Sequence, residues 1–285
     1  AADPQGLRRE RPADERDAAR AQEAQEASAI GHARGNGPED DPETPKVLAT
    51  PDTPFCVLSA SKPVTAMLIH LLDQRNLLHV DDPVCEFIPQ FGGDAKRWIT
   101  VRHVLNHRAG IPSLPPGIMD PELLAQPERI LQILCDAKPT LRPGRTVAYH
   151  AVIGGFLLAE VVRRASGRGI EELLDEAVCK PLGLGAFQYG VPAAQLDRVA
   201  LSYNTGPPPL PPVSTLLLNA LGVDHARAIE LINDPRFLTS VVPSANVVAT
   251  ANEMSRFYEL LLRGGELDGV RVFEPRTVRR AVAEQ

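Results

Sequence analysis

A serine and a lysine three residues apart, at the start of an apolar segment, constrain this chain more than any other feature. Residues i and i+3 lie on the same face of a helix, so the Ser59 hydroxyl and the Lys62 amine can meet if a helix begins near Ser59. The sequence predicts that helix over residues 59–76. Helical spacing is shared by the apolar residues expected in the core: Val64, Met67, Leu68, Leu71 and Leu72.

The pairing of these two residue types indicates a chemistry. A serine hydroxyl is a weak nucleophile until a nearby base takes its proton, and a partly buried lysine can lose its charge and act as that base. The pattern therefore predicts covalent acyl transfer with Ser59 as nucleophile. The alternative is structural, with Ser59 as a helix cap and Lys62 as a solvated residue of the first turn.

Composition and charge exclude several classes of function. The chain has 285 residues, a net charge of −6 and a pI of about 5.7, which argues against a nucleic-acid partner. No apolar run approaches the ~18 residues that a membrane span requires, and the first residues lack the apolar stretch of a secretory signal.

The cysteines favour a reducing compartment. None of them forms a Cys-x-x-Cys pair, so a zinc knuckle or a redox pair is not predicted. We expect reduced, partly buried thiols in a cytoplasmic protein rather than a disulfide framework. Four residues make up this set: Cys56, Cys85, Cys135 and Cys179.

Residues 1–46 differ in composition from the rest of the chain. They contain seven Arg or Lys and eleven Asp or Glu, and almost no large apolar residue. Such a segment cannot bury enough apolar surface to offset its ordering entropy. The sequence predicts a charged tail and linker over 1–46, with a partner-binding arm as the alternative, and one folded domain over 47–285.

Start and stop signals predict the later helices. Thr100 is a candidate N-cap for a helix over 101–106, and Thr250-Ala-Asn-Glu253 is a capping box that opens another. The other predicted helical ranges are 152–165 before Gly167, 169–180 before Pro181, and 213–232 within a proline-rich stretch.

Two histidines have the spacing of paired metal ligands. His103 and His107 stand at i and i+4, but no Glu separates them as in His-Glu-x-x-His and no third ligand is evident. We therefore interpret both as packing or turn-stabilising residues and predict no metal site.

Three segments of the chain carry motifs that occur together in one known family. They are Phe55-Cys-Val-Leu-Ser-Ala-Ser-Lys-Pro-Val-Thr-Ala, Thr100-Val-Arg-His-Val-Leu-Asn-His-Arg-Ala-Gly-Ile-Pro and Pro143-Gly-Arg-Thr-Val-Ala-Tyr-His. In these motifs, and in order over about residues 53–275, the chain resembles the serine β-lactamase-like family, and the first segment resembles its nucleophile motif. The family includes class C β-lactamases, D-alanyl-D-alanine peptidases and family VIII esterases.

The resemblance implies roles for single residues. Ser59 would be the nucleophile, Lys62 would share or receive its proton, and Tyr149 would complete the base pair and relay a proton to the leaving group. His150 and Ala151 would occupy substrate-binding positions. The alternative for Tyr149 is a core aromatic residue whose hydroxyl caps a turn. No metal or organic cofactor is implied.

The chain departs from the family pattern in three places. Ala151 replaces the Asn of the Tyr-x-Asn motif, so its side chain cannot donate an amide hydrogen bond to a substrate. The Lys-Thr-Gly or His-x-Gly strand, which helps form the oxyanion hole in relatives, is expected later than Gln285. The two strands that precede the nucleophile helix in relatives are not evident in residues 1–46.

These observations predict an α+β fold of the β-lactamase/transpeptidase type. A helical domain would pack on an antiparallel sheet that is incomplete in this chain. The predicted function is a serine hydrolase that cleaves a carboxylic ester or a related small acyl compound through an acyl-enzyme on Ser59. Two alternatives stay open: a β-lactamase or D-alanyl-D-alanine peptidase, and a non-catalytic scaffold or binding protein. The oligomeric state is not predicted.

Overall fold

A computed structural model of the chain describes residues 33–34, 47–93, 95–111, 119–203, 207 and 209–283. The chain divides into two units, residues 1–52 and residues 53–285. In the first unit, strand β1 (Ala33–Arg34) pairs antiparallel with strand β2 (Val47–Leu48). Apart from β1, the segment predicted as a charged tail lies outside the described residues, so its character stays a prediction.

The second unit is mainly helical. Its α-helices are α1 Ser61–Gln74, α2 Val84–Phe87, α3 Val101–Leu105, α4 Pro121–Leu124, α5 Pro127–Asp136, α6 Ile153–Ser166, α7 Ile170–Leu174, α8 Lys180–Leu182, α9 Val213–Leu221, α10 His225–Ile232, α11 Pro235–Thr239, α12 Ala251–Leu262 and α13 Pro275–Val282. Short 3-10 turns cover Leu58–Ala60, Pro89–Gly92, Lys96–Trp98 and Ala193–Arg198, and a π turn over Asp175–Cys179 joins α7 to α8.

A small antiparallel sheet lies beside the nucleophile segment. Its strands are β3 (Phe55–Cys56), β4 (Gln188–Tyr189) and β5 (Val247–Ala249), in the order β3-β5-β4. Phe55 pairs with Ala249 on one side of β5, and Tyr189 pairs with Val247 on the other. A separate hairpin joins β6 (Glu266–Leu267) to β7 (Val270–Arg271). The predicted α+β class is confirmed.

Helix α1 forms the centre of the core. Its predicted apolar stripe is at most 3% exposed, and Ile69 and His70 on its other faces are also buried. Burial on all faces is expected of a helix enclosed by others, and α1 packs most extensively against α6. The α-helix begins at Ser61, two residues later than predicted, because residues 58–60 form a 3-10 turn instead.

Other predicted boundaries are confirmed or shifted for identifiable reasons. The Thr100 and Thr250 side chains cap α3 and α12 as predicted. The segment predicted as one helix over 213–232 is two helices, because Gly222 adopts φ +74°, a left-handed conformation that ends α9. The helix predicted to stop at Pro181 continues through the π turn to Leu182, one residue past the proline, and ends at Gly183, which adopts φ +65°.

A lysine is enclosed in the core near the end of α5. Lys96 has 0% relative exposure, and its ammonium donates hydrogen bonds to the carbonyls of Leu134 (3.1 Å), Cys135 and Ala137 (2.8 Å). The last carbonyls of a helix have no partner within the helix, so Lys96 supplies the donors that they need.

Among the described residues, no helix is both long and apolar enough to cross a lipid bilayer. All four cysteines lie in the described part of the chain and carry free thiols.

Candidate active site

A sharp turn between β3 and α1 presents Ser59. Leu58 adopts φ +49°, and Ser59 follows it in the 3-10 turn with an exposed side chain. The Ser61 hydroxyl donates to the Leu58 carbonyl (2.6 Å) and accepts from the Val247 N–H (2.9 Å), so the turn is tied to β5. Val57 N–H also donates to the Val247 carbonyl. This bonding holds the turn that carries Ser59 against the sheet.

The predicted catalytic side chains meet at this turn. The Ser59 hydroxyl lies 2.7 Å from the Tyr149 hydroxyl and accepts a hydrogen bond from Lys62 Nζ at 3.3 Å. Lys62 Nζ also lies 4.9 Å from the centre of the Tyr149 ring. Lys62 is one turn beyond Ser59 in sequence, whereas Tyr149 comes from a segment 90 residues away. The three groups therefore form one continuous hydrogen-bonded set.

Two backbone carbonyls orient the lysine. Lys62 Nζ donates to the carbonyl of Ala151 at 2.8 Å and to that of Ser244 at 3.0 Å. With Ser59 these acceptors match the three N–H bonds of an ammonium group. Burial lowers the pKa of Lys62 from its ordinary value, and the interaction with Tyr149 opposes that effect. The arrangement suits a lysine that exchanges a proton with its neighbours.

Ser244 is a site residue that the sequence did not identify. Its hydroxyl accepts from the Gly155 N–H (2.9 Å) and donates to the Val152 carbonyl (3.0 Å), which joins its loop to the start of α6. Thr65 of α1 fixes the same loop by donating to the Pro243 carbonyl at 2.7 Å. Ser244 lies within residues 53–275, over which the sequence resembles the family, but that resemblance pointed to no role for this residue.

A methyl group added at Gly155 tests whether the loop that carries Ser244 holds Lys62 in place. A Cβ there would lie 2.2 Å from Ser244 Oγ and 2.6 Å from Ser244 N. We expect Gly155→Ala to lower the free energy of unfolding by about 2 kcal/mol, because overpacking outweighs the higher helix propensity of alanine. We also expect slower modification of Ser59, because displacement of Ser244 moves a carbonyl that holds Lys62. Urea denaturation and the labelling rate of Ser59 measure the two effects.

The neighbouring glycine provides the matched control. A Cβ at Gly154 would make only ordinary contact, 3.6 Å from Val104 Cγ1. Gly154→Ala should therefore not lower the free energy of unfolding, because alanine has the higher helix propensity, and it should leave the labelling rate nearly unchanged. Equal stability and equal labelling rates for the two variants would contradict the role assigned to the Ser244 loop.

The residues predicted to bind substrate lie next to the catalytic set. His150 is 1% exposed, and Ala151 is 9% exposed. Ala151 contributes its carbonyl to Lys62, while neither ring nitrogen of His150 has a hydrogen-bond partner among the residues that the structure describes. Burial, followed by the charge of His107, lowers the pKa of His150 to about 4, so this ring is neutral near pH 7. Their contact with a substrate stays a prediction.

The two histidines with metal-ligand spacing bond to backbone groups. His103 Nδ1 accepts from the Thr100 N–H (3.2 Å) in the capping box, and His107 Nδ1 accepts from the His150 N–H (3.1 Å). Within the described ranges, no group of three His, Cys, Asp or Glu side chains could hold a metal ion.

Cys56 is the thiol nearest to Ser59 in the sequence. Burial raises its pKa to about 11, which keeps the thiol protonated at neutral pH. Its Sγ donates to the Ala245 carbonyl at 3.4 Å. These observations agree with a thiol that packs in the protein, as expected of a reduced and partly buried cysteine, and Ser59 remains the candidate nucleophile of this site.

Comparison with known proteins identifies the family. The family model described as "Beta-lactamase" matches residues 18–283. Esterase/beta-lactamase LipL of Mycobacterium tuberculosis is 31% identical over 237 residues, which are 77% of this chain and 53% of the relative. Esterase EstB of Burkholderia gladioli is 25% identical over 232 residues, 74% of this chain and 57% of that protein. The chain thus spans about half the length of the curated relatives it matches.

Solved structures lead to the same family. A penicillin-binding protein homologue from Caulobacter crescentus aligns with a TM-score of 0.71 and 31% identity, over 84% of this chain and 63% of that one. A family VIII carboxylesterase aligns with a TM-score of 0.70 and 27% identity, over 80% of this chain and 60% of that one. On the matched residues and the shared fold, the chain belongs to the beta-lactamase family of serine hydrolase-like proteins.

Proposed function

We propose that this protein is a serine hydrolase that cleaves a carboxylic ester, or a related small acyl compound, through an acyl-enzyme on Ser59. The observation that carries the proposal is the contact of one exposed serine hydroxyl with both a phenol, at 2.7 Å, and a half-buried amine, at 3.3 Å. A hydroxyl bonded to two groups that can exchange protons is an activated nucleophile.

The reaction proceeds in two halves. In the first, the proton of Ser59 passes to the Tyr149–Lys62 pair as Oγ bonds to the substrate carbonyl carbon. The backbone N–H of Ser59 stabilises the negative charge on the carbonyl oxygen. The ester C–O bond then breaks, and the leaving alcohol takes the proton from Tyr149. In the second half a water molecule attacks the acyl carbon, the pair accepts its proton, and the Ser59 oxygen leaves and is reprotonated.

An ester is the preferred substrate class because of Ala151. Its methyl group cannot donate the amide hydrogen bond that the Asn of a Tyr-x-Asn motif would offer to a lactam or peptide. Two similar proteins are named as esterases, and LipL is named as both esterase and β-lactamase. A β-lactamase or D-alanyl-D-alanine peptidase is the second candidate, since penicillin-binding proteins are also among the similar structures. A non-catalytic scaffold is the third.

Covalent labelling tests the proposal. The chain and its Ser59→Ala variant are treated with a fluorophosphonate probe, and the modified residue is located by mass spectrometry. Hydrolysis of p-nitrophenyl acetate and of nitrocefin, a β-lactam, is measured in parallel. We expect an adduct on Ser59 and ester turnover, both lost in Ser59→Ala but kept in Ser255→Ala, which changes an exposed serine of α12.

Each outcome decides between the candidates. Faster hydrolysis of nitrocefin than of the ester would favour the β-lactamase alternative. A folded wild-type chain with no adduct and only background hydrolysis would contradict a hydrolase and favour the scaffold.

We also propose that the protein works in a reducing compartment such as the cytoplasm. The support is that all four cysteines carry free thiols, as expected where disulfides do not persist. A small acyl compound is the proposed partner, and the acidic charge balance argues against nucleic acid.

A further inference from the structure

Tyr149 occupies a segment that forms neither helix nor strand. Residues 146–150 have no regular secondary structure, yet the Tyr149 hydroxyl lies within 2.7 Å of Ser59. Its side chain is 42% exposed, so packing on the core does not by itself hold the ring. The position of the phenol must therefore depend on the bonds that hold the backbone on either side of it.

His107 supplies bonds on both sides of Tyr149. Its carbonyl accepts from the Ala148 N–H at 2.9 Å, and its Nδ1 accepts from the His150 N–H at 3.1 Å. Its ring centre also lies 5.0 Å from that of Tyr149, at an interplanar angle of 51°. One residue thus contacts the residue before Tyr149, the residue after it and the phenol ring itself.

The position of His107 is fixed in turn by the end of α3. Its N–H donates to the Val104 carbonyl at 3.2 Å, and its backbone adopts φ +56°, a conformation in which His and Asn are enriched. The buried ring of His150 also packs against the imidazole in an edge-to-face arrangement, with ring centres 5.4 Å apart.

The protonation state of His107 suits an acceptor at Nδ1. Burial, and then the positive charge of Lys62, lower its pKa from the ordinary value. The titratable groups that contact or face its ring are Lys62, Tyr149 and His150. A neutral imidazole can accept at Nδ1, whereas a protonated ring would place a hydrogen there and could not accept.

We propose that His107 is a positioning residue that holds Tyr149 at hydrogen-bond distance from Ser59 by bonding to the backbone on both sides of it. This inference rests on the proposed function, in which Tyr149 exchanges a proton with Ser59. It adds a residue that acts through Tyr149 and does not touch the substrate.

Two substitutions separate the side-chain bond from the backbone conformation. Glycine and asparagine both tolerate the positive φ at this position. Asn Oδ1 can reach the place of Nδ1 and accept from the His150 N–H, whereas glycine has no acceptor. We expect His107→Gly to lower kcat for ester hydrolysis and the labelling rate of Ser59 by about 10- to 100-fold, with little change in KM. His107→Asn should recover most of the loss.

A double-mutant cycle tests whether the effect passes through Tyr149. In a Tyr149→Phe background, His107→Gly should lower the remaining rate less than threefold, because the hydroxyl to be positioned is already absent. An equal loss in both backgrounds would overturn the proposal, and so would failure of His107→Asn to differ from His107→Gly.

Amide hydrogen exchange provides a readout that does not require catalysis. Exchange at the His150 N–H should be at least tenfold faster in His107→Gly than in the wild type, and close to wild type in His107→Asn, whereas exchange at Ala148, whose acceptor is the backbone carbonyl of residue 107, should change less. Unchanged exchange in His107→Gly would overturn the proposal. If the wild-type chain shows neither labelling nor turnover, the proposed function fails, whereas exchange still decides whether His107 holds this segment.

Discussion

Replacement of Lys62 by methionine is expected to slow the modification of Ser59 by a fluorophosphonate, and its acylation by an ester, by about 10³-fold. Methionine keeps the length and most of the apolar contacts of the lysine stem but removes the amine that donates to Ser59. Removal of one member of a proton-exchanging set commonly costs 10²–10⁴ in rate. The second-order rate constant of labelling measures the loss without requiring turnover.

The slower labelling of Ser59 in Lys62→Met has a second cause, because the amine also contacts two backbone carbonyls and the Tyr149 ring. Without Nζ, the carbonyls of Ala151 and Ser244 lose a donor, and the Tyr149 ring loses the positive charge 4.9 Å from its centre. The ammonium stabilises the negative charge that the Tyr149 oxygen carries when it acts as the proton acceptor for Ser59.

Two controls make this result interpretable. Lys180→Met removes an exposed lysine of α8, and it should label at the wild-type rate. Circular dichroism and urea denaturation establish that Lys62→Met remains folded at the assay temperature. A folded Lys62→Met chain that labels within tenfold of the wild type would show that Tyr149 alone activates Ser59. Lys62 would then have a structural role.

The sequence predicted the contact between Ser59 and Lys62 because that contact follows from their separation along the chain. Ser59 and Lys62 are three residues apart, and a helical turn brings residues with that spacing to the same face. The stripe from Val64 to Leu72 predicted α1 for the same reason, since burial of apolar side chains follows the helical period. Tyr149 lies 90 residues from Ser59, so only the resemblance to a family suggested their contact.

Other contacts of the site are made by backbone atoms, which every residue type carries, so the sequence could not predict them. The carbonyls that hold Lys62 belong to Ala151 and Ser244, and no side-chain pattern distinguishes these positions from others. The positive φ of Leu58 was equally hidden, because leucine rarely adopts that conformation and tertiary contacts impose it here. The end of α9 at Gly222 could have been predicted from the sequence, since glycine is the usual residue just after a helix C-terminus.

Lys96→Met should destabilise the fold by about 3 kcal/mol or more. Methionine fits the volume of the buried stem but leaves three carbonyls near the end of α5 without their donor. An unsatisfied buried acceptor costs about 1–3 kcal/mol, and a hydrogen bond to a charged group contributes about 1.5–3 kcal/mol net. We therefore expect the loss of these hydrogen bonds to outweigh the desolvation cost that is removed when the buried ammonium is replaced. The ammonium also lies 4.8 Å from the centre of the Phe91 ring, a contact that methionine lacks.

Urea denaturation gives the free energy of unfolding of Lys96→Met and of Lys180→Met. The two variants carry the same substitution, one at a buried position and one at an exposed position, so their difference reports the effect of burial. The Lys180 side chain is 69% exposed and pairs with Asp175 at 2.6 Å, an exposed ion pair whose loss should change stability by less than about 1 kcal/mol. Lys96 Nζ bonds to carbonyls near the end of α5, and that helix contributes no residue to the Ser59, Lys62 and Tyr149 set, so any variant that folds should still be labelled at Ser59. A Lys96→Met chain as stable as Lys180→Met would show that the end of α5 does not depend on this ammonium.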